Sequence, residues 1–165
     1  MSNSEQRSVV AGRSVFADVA DALRAMMPAD LGELGLYDHR YGVKVWFGAE
    51  KAPREHYEAQ VVGAALVPGA KALGLEVGFH SEYSEEADNK AAIDRLLARE
   101  RTWRRSLGSE PVVGPFLGRA KNWRRISETW ADPDLGDPEL PFQLAARLSE
   151  YVACLEPLRK KRTFG

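Results

Sequence analysis

The chain contains one cysteine, Cys154, among 165 residues. It therefore cannot close an internal disulfide or supply the thiolate cluster of a zinc finger, and this usage fits a reducing compartment. An excess of charge of either sign is also missing. Its 23 Lys and Arg face 24 Asp and Glu, for a net charge of −1, which removes the global electrostatic case for a nucleic-acid or membrane-surface binder. Long hydrophobic runs are absent too: the longest uncharged stretch, Gln60 to Ala70, is about half the roughly 20 residues of a membrane span and contains Pro68. The opening residues MSNSEQRSVVAGR lack the apolar core of a signal peptide. Together these features predict a cytoplasmic protein with no membrane contact.

The common catalytic signatures are missing as well. There is no G-x-S-x-G elbow, H-E-x-x-H helix, C-x-x-C pair or dinucleotide fingerprint. The segment GAALVPGAK, from Gly63 to Lys71, has glycines and a lysine, but not the spacing of a phosphate loop. Ala72 also stands where a magnesium-binding hydroxyl is needed, so the segment reads as a turn.

What is present is an ordinary globular composition, 44% hydrophobic and 28% charged, in a length suited to one domain. We expect a flexible N-terminus over 1–13, one domain over 14–157 and a basic tail over 158–165. Val15, Val19, Leu23 and Met26 recur at helical spacing between an N-cap at Ser14 and a stop at Pro28. The stretch from Ala29 to Gly42 loses periodicity and reads as a loop. Val43, Val45 and Phe47 then alternate as in a strand.

Tyr57, Ala59 and Val61 share one parity, as do Leu75, Val77 and Phe79, and Pro68-Gly69 sits between the two runs. This predicts a hairpin turning near residues 69 and 70, against a competing helix from Pro53 to Leu66. Acidic residues from Glu85, arginines at the far end and Gly108 beyond predict one helix carrying Ile93, Leu96, Trp103 and Leu107. VVGPFLG and NWRRISETW predict a second hairpin. A last helix on Leu144, Leu148, Val152 and Leu155 is expected to stop at Pro157.

The expected fold is α+β, in the order α-β-β-β-α-β-β-α, with a five-stranded antiparallel sheet carrying helices on one face. In topology this order resembles the α/β sandwich of bacterial type III secretion chaperones, many of them dimeric binding modules. The resemblance constrains the architecture more than the function; a homo-oligomer that engages a protein or small-molecule ligand is expected from the tryptophans on the open sheet face.

Parity also separates the chemistry. If Tyr57 and Phe79 face the core, then His56, Glu58, Gln60, Glu76, His80 and Glu82 face away. The chain thus carries H-x-E twice, His56-Tyr57-Glu58 and His80-Ser81-Glu82, and the expected turn puts residue 58 opposite residue 80. Two imidazoles and two carboxylates converging there could ligate Zn²⁺, Mn²⁺ or Fe²⁺, or serve as general acid and base. The alternative is a solvated strand face with charges paired across it. Trp46, Trp123 and Arg125 have the same outward parity and offer contacts of the kind that dominate interfaces. Gln60, Glu76, Trp46, Trp123 and Arg125 are thus candidate binding residues. Trp-Arg-Arg at 103–105 and 123–125, with neighbouring arginines, suggests a single-strand nucleic-acid groove, which Glu100, Glu110, Glu128 and the near-neutral total disfavour. The leading expectation is a binding module using an open sheet face. A metal-assisted enzyme and a nucleic-acid accessory domain are the alternatives.

Overall fold

The computed structural model describes residues 14–118 and 120–160. In chain order the elements are α1 (Val15–Met26), β1 (Leu34–His39), β2 (Gly42–Phe47), β3 (Glu55–Val62), β4 (Gly74–Ser81), α2 (Glu86–Leu97), α3 (Glu100–Leu107), β5 (Val112–Pro115), β6 (Arg124–Ala131) and α4 (Leu140–Lys160). Single 3₁₀ turns cover Ala29–Leu31 and Ala64–Leu66. The six strands form one antiparallel sheet in the order β1-β2-β3-β4-β6-β5. Among the described residues, no helix is long and apolar enough to cross a membrane.

The fold is α+β with an antiparallel sheet, but the sheet has six strands rather than five. The added strand, β1, lies in the segment expected to be a loop. It is an edge strand in which Leu34 and Leu36 are only half-buried and Gly35 has no side chain, so apolar alternation hardly marks it. Its pairing with β2, from Leu34 opposite Phe47 to His39 opposite Gly42, makes it a strand. The segment from Pro53 to Leu66 is β3 followed by a 3₁₀ turn, not a helix.

Helical details also differ. On α1 the buried stripe is Phe16, Val19, Ala20 and Leu23, while Met26 is exposed. Ser14 caps the helix by accepting from Phe16 N–H at 3.1 Å. The single helix expected after residue 84 is two, interrupted at Ala98 and Arg99. The bend lets Trp103 fold back and donate its indole N–H to Leu96 O at 2.9 Å while its ring enters the core. Helix α4 runs through Pro157 to Lys160. Proline there removes one backbone donor, and the turn beyond is tied down by Arg159 bonding Glu156 at 2.6 Å and by Lys160 reaching Leu31 O. Arg159 and Lys160, expected in a basic tail, are therefore helical; residues 161–165 and 1–13 of the expected tails lie outside the described residues.

The core forms between the sheet and α1 and α4. Val43, Val45, Tyr57, Ala59, Leu75, Val77, Phe79 and Ile126 line the sheet side, with Phe16, Leu23, Leu144, Leu148 and Leu155 opposite. Strand parity thus assigns the helical face as expected. The β3–β4 register is displaced by two residues: His56 pairs with His80 and Glu58 with Gly78, rather than residue 58 with 80. The connection is not a tight hairpin, because a 3₁₀ turn and the buried Val67 occupy it. A two-residue shift changes partners but leaves every side chain on its face.

Candidate metal centre

On the face away from the helices, the side chains of β3 and β4 form a buried polar cluster. Gly78 makes room at its middle. Its φ is +155°, and a Cβ there would lie 2.3 Å from Ile126 O, so β4 approaches β6 at a point only glycine allows. Flanking this gap, Glu76 and His80 are completely buried, and His56 and Glu58 nearly so. Glu82, just past the end of β4, is the most open of the five, with 11% of its side chain exposed.

The four residues of the two H-x-E elements converge. His56 Nε2 lies 3.1 Å from Glu58 Oε1 and 3.1 Å from Glu82 Oε2. His80 Nδ1 lies 3.2 Å from Glu58 Oε1 and 3.3 Å from Glu82 Oε2. One ligand atom from each residue falls within 4.8 Å of all the others. A tetrahedral ion with bonds of about 2.0–2.1 Å has ligand–ligand edges of about 3.3 Å, which the four N···O spacings approach.

The remaining ring nitrogens are held from behind. His56 Nδ1 is 2.8 Å from Pro53 O, and His80 Nε2 is 2.9 Å from Glu76 Oε2. If each of those nitrogens carries the proton, both inward nitrogens present lone pairs to two carboxylates. Such a set has only acceptors at its centre and requires a cation, either protons or a metal ion.

Electrostatics follow from this geometry. Burial by itself lowers the pKa of His56, but bonds to Glu58 and Glu82 outweigh it and raise the value above the ordinary 6.5. At His80 burial again acts downward, and the carboxylates of Glu76, Glu58 and Glu82 drive the pKa well above 6.5. The three acids respond inversely. Burial raises them, yet the imidazoles pull Glu76 and Glu82 down to about 2 and Glu58 lower still.

The other candidate binding residues divide. Gln60 donates to Glu76 Oε1 at 2.8 Å. Arg125, on β6 opposite His80, donates to Ser127 Oγ at 2.8 Å and to Pro115 O at 3.1 Å. Trp123 is half-buried, and its ring centroid is 5.2 Å from that of Phe116, which itself stands 4.6 Å from the His80 ring. These aromatic rings flank the cluster. Trp46 has the expected parity but is only 6% exposed: it lies over Gly35 and donates to Ala49 O at 2.7 Å. The two Trp-Arg-Arg segments share no groove of stacking surfaces, since Trp103 is in the core and Arg104 stacks on it at 4.6 Å while bonding Glu100.

Sequence reasoning missed Ser127, Gly78 and Phe116. Ser127 shares the parity of Arg125, which was a usable signal. Phe116 and Gly78 carried none, because their roles depend on what lies across from them. The cleft lined by Val15, Ala22, Leu135 and Phe142 contains none of the cluster residues.

No family model matches the chain, and neither a curated protein nor a solved structure matches it. The resemblance to secretion chaperones thus rests on element order, which the sixth strand alters.

Proposed function

We propose that this chain is a binding module whose bound species is a divalent transition-metal ion, held by His56 Nε2, His80 Nδ1, Glu58 and Glu82. One observation carries the reading: each imidazole has its outer nitrogen anchored to an acceptor while its inner nitrogen meets the same two carboxylates at 3.1–3.3 Å. Anchoring of the outer ring nitrogen by a carbonyl or carboxylate is the arrangement that orients metal-bound histidine.

Charge supports a divalent ion. Glu58, Glu76 and Glu82 contribute three negative charges and Arg125 one positive, leaving two for the ion to cancel. Without the ion, two protonated imidazoles balance the same charge. Metal therefore displaces protons from this site as it binds. Two imidazole nitrogens with two carboxylate oxygens, the four N···O spacings being 3.1–3.3 Å, favour Zn²⁺ over Mg²⁺ or Ca²⁺, which prefer six or more oxygens. The four protein ligands come from β3 and the end of β4, so the ion's role in this reading is to clasp the one to the other.

Calorimetry of chelator-stripped protein tests the proposal. Zn²⁺ is expected to bind one ion per chain at neutral pH with release of protons. Affinity weaker than about 100 μM, only about −5.5 kcal/mol, overturns it.

A further inference from the structure

Behind His80 runs an unbroken line of buried hydrogen bonds. Arg125 Nη1 donates to Ser127 Oγ at 2.8 Å, Ser127 Oγ donates to Glu76 Oε2 at 2.7 Å, and that same oxygen lies 2.9 Å from His80 Nε2. Gln60 holds the other oxygen of Glu76 at 2.8 Å. Resting on the metal reading above, we infer that Glu76 is the positioning residue of the centre: it touches no ion itself but fixes His80 so that Nδ1, and not Nε2, is the ligand atom.

Three observations support this role. Glu76 is fully buried, where an ionised carboxylate is a poor source of stability in its own right. Its oxygens are engaged by Gln60, Ser127 and His80, and it is not among the four residues whose ligand atoms converge. Gly78 leaves the His80 ring nothing on its own strand to rest against between residues 76 and 80. The ring's orientation is therefore set by the acceptor at one end, by Glu58 and Glu82 at the other, and by the Phe116 ring. Imidazole can coordinate through either nitrogen, and the one that coordinates is decided by the hydrogen bond made by the other. Ser127 and Arg125 extend the line and hold Glu76 turned toward His80.

The test uses the full chain with Co²⁺ as a spectroscopic probe and Zn²⁺ by competition. Glu58→Gln is expected to abolish binding of both. Glu76→Ala is expected to weaken binding by about 10–100-fold and to change the visible Co²⁺ spectrum. Glu76→Gln should recover most of the affinity, since its amide oxygen can still accept from His80 while the Gln60 amide turns to match. Equal affinity and an unchanged spectrum in Glu76→Ala, with Glu58→Gln dead, overturn the inference and leave the metal reading standing. If the wild-type chain binds neither ion, the metal reading itself fails.

A second measurement does not depend on whether Glu76→Ala folds. Nitrogen-15 NMR of the Zn²⁺-loaded wild-type chain should show the His80 proton on Nε2. Finding it on Nδ1 overturns the inference.

Discussion

The two faces of one sheet both bury carboxylates, and they satisfy them differently. On the helical face, Glu128 accepts from Tyr151 at 2.7 Å, Trp130 at 2.9 Å and Arg147 at 2.8 Å. Glu156 accepts from Tyr57 at 2.8 Å and from Arg159. Those donors keep their protons throughout the physiological range. Burial and the nearby carboxylates raise the tyrosine pKa values further. On the open face, Glu58, Glu76 and Glu82 meet imidazoles, which lose a proton near neutrality and then offer a lone pair. Burial alone does not make a site. An exchangeable partner does.

This contrast can be broken outright at Gly78, in the middle of the open-face cluster, where β4 seats closely against β6. Gly78→Ala forces a Cβ to within 2.3 Å of Ile126 O at a left-handed φ, and it should cost about 3 kcal/mol or more in chemical denaturation. It should also remove Zn²⁺ binding, because β4 can no longer seat against β6.

A sharper division comes from paired substitutions. His80→Ala should eliminate Zn²⁺ binding in calorimetry, whereas Glu128→Gln should leave it intact and lower stability by about 1–3 kcal/mol, the cost of disturbing a buried acceptor with charged and neutral donors. Loss of metal binding in Glu128→Gln would erase the distinction between the faces.

The pH dependence should have opposite signs with and without metal. The raised pKa values of His56 and His80 give the metal-free cluster a stabilising contribution that is complete below about 6.5 and lost as pH rises through the folded values. The depressed Glu76 and Glu82 give one that is present above their ordinary 4.5 and lost as pH falls toward 2. Metal-free protein should thus draw most from this cluster between about pH 4.5 and 6.5. Zn²⁺ needs neutral imidazole, so the rise it produces in melting temperature should grow as pH increases through the same histidine values. Thermal melts from pH 5 to 8, with chelator and with Zn²⁺, check both slopes.

The smallest expected effect is that of Tyr57→Phe. It deletes one hydroxyl bond to Glu156, which Arg159 still pairs, and should cost about 1 kcal/mol with no change in Zn²⁺ affinity.

Much of the site was legible because strand parity survives errors of detail. The expected hairpin register was two residues off, yet His56, Glu58, His80 and Glu82 stayed on one face, since a side chain changes face only when the shift is odd. Trp46 shows where parity stops informing. It points to the open face as read, but Gly35 on the neighbouring strand leaves a place for its ring, and only the pairing of β1 with β2 reveals that cover. The β1 strand itself escaped notice because an edge strand with a half-buried face has weak apolar alternation.

The local sequence by itself determined the sites of most helices and strands, the side of the sheet that meets α1 and α4, and the outward placement of the two H-x-E elements. These follow from periodicities of 3.6 and 2, which are written residue by residue. Only the tertiary structure decided that the outward face is buried and that His80 stands between Glu58 and Glu76. It also decided that Ser127 and Arg125 reach that cluster from β6, 51 and 45 positions beyond Glu76 and His80 respectively. Those relations depend on strand neighbours set by the whole sheet, and no local pattern encodes which distant strand will lie alongside.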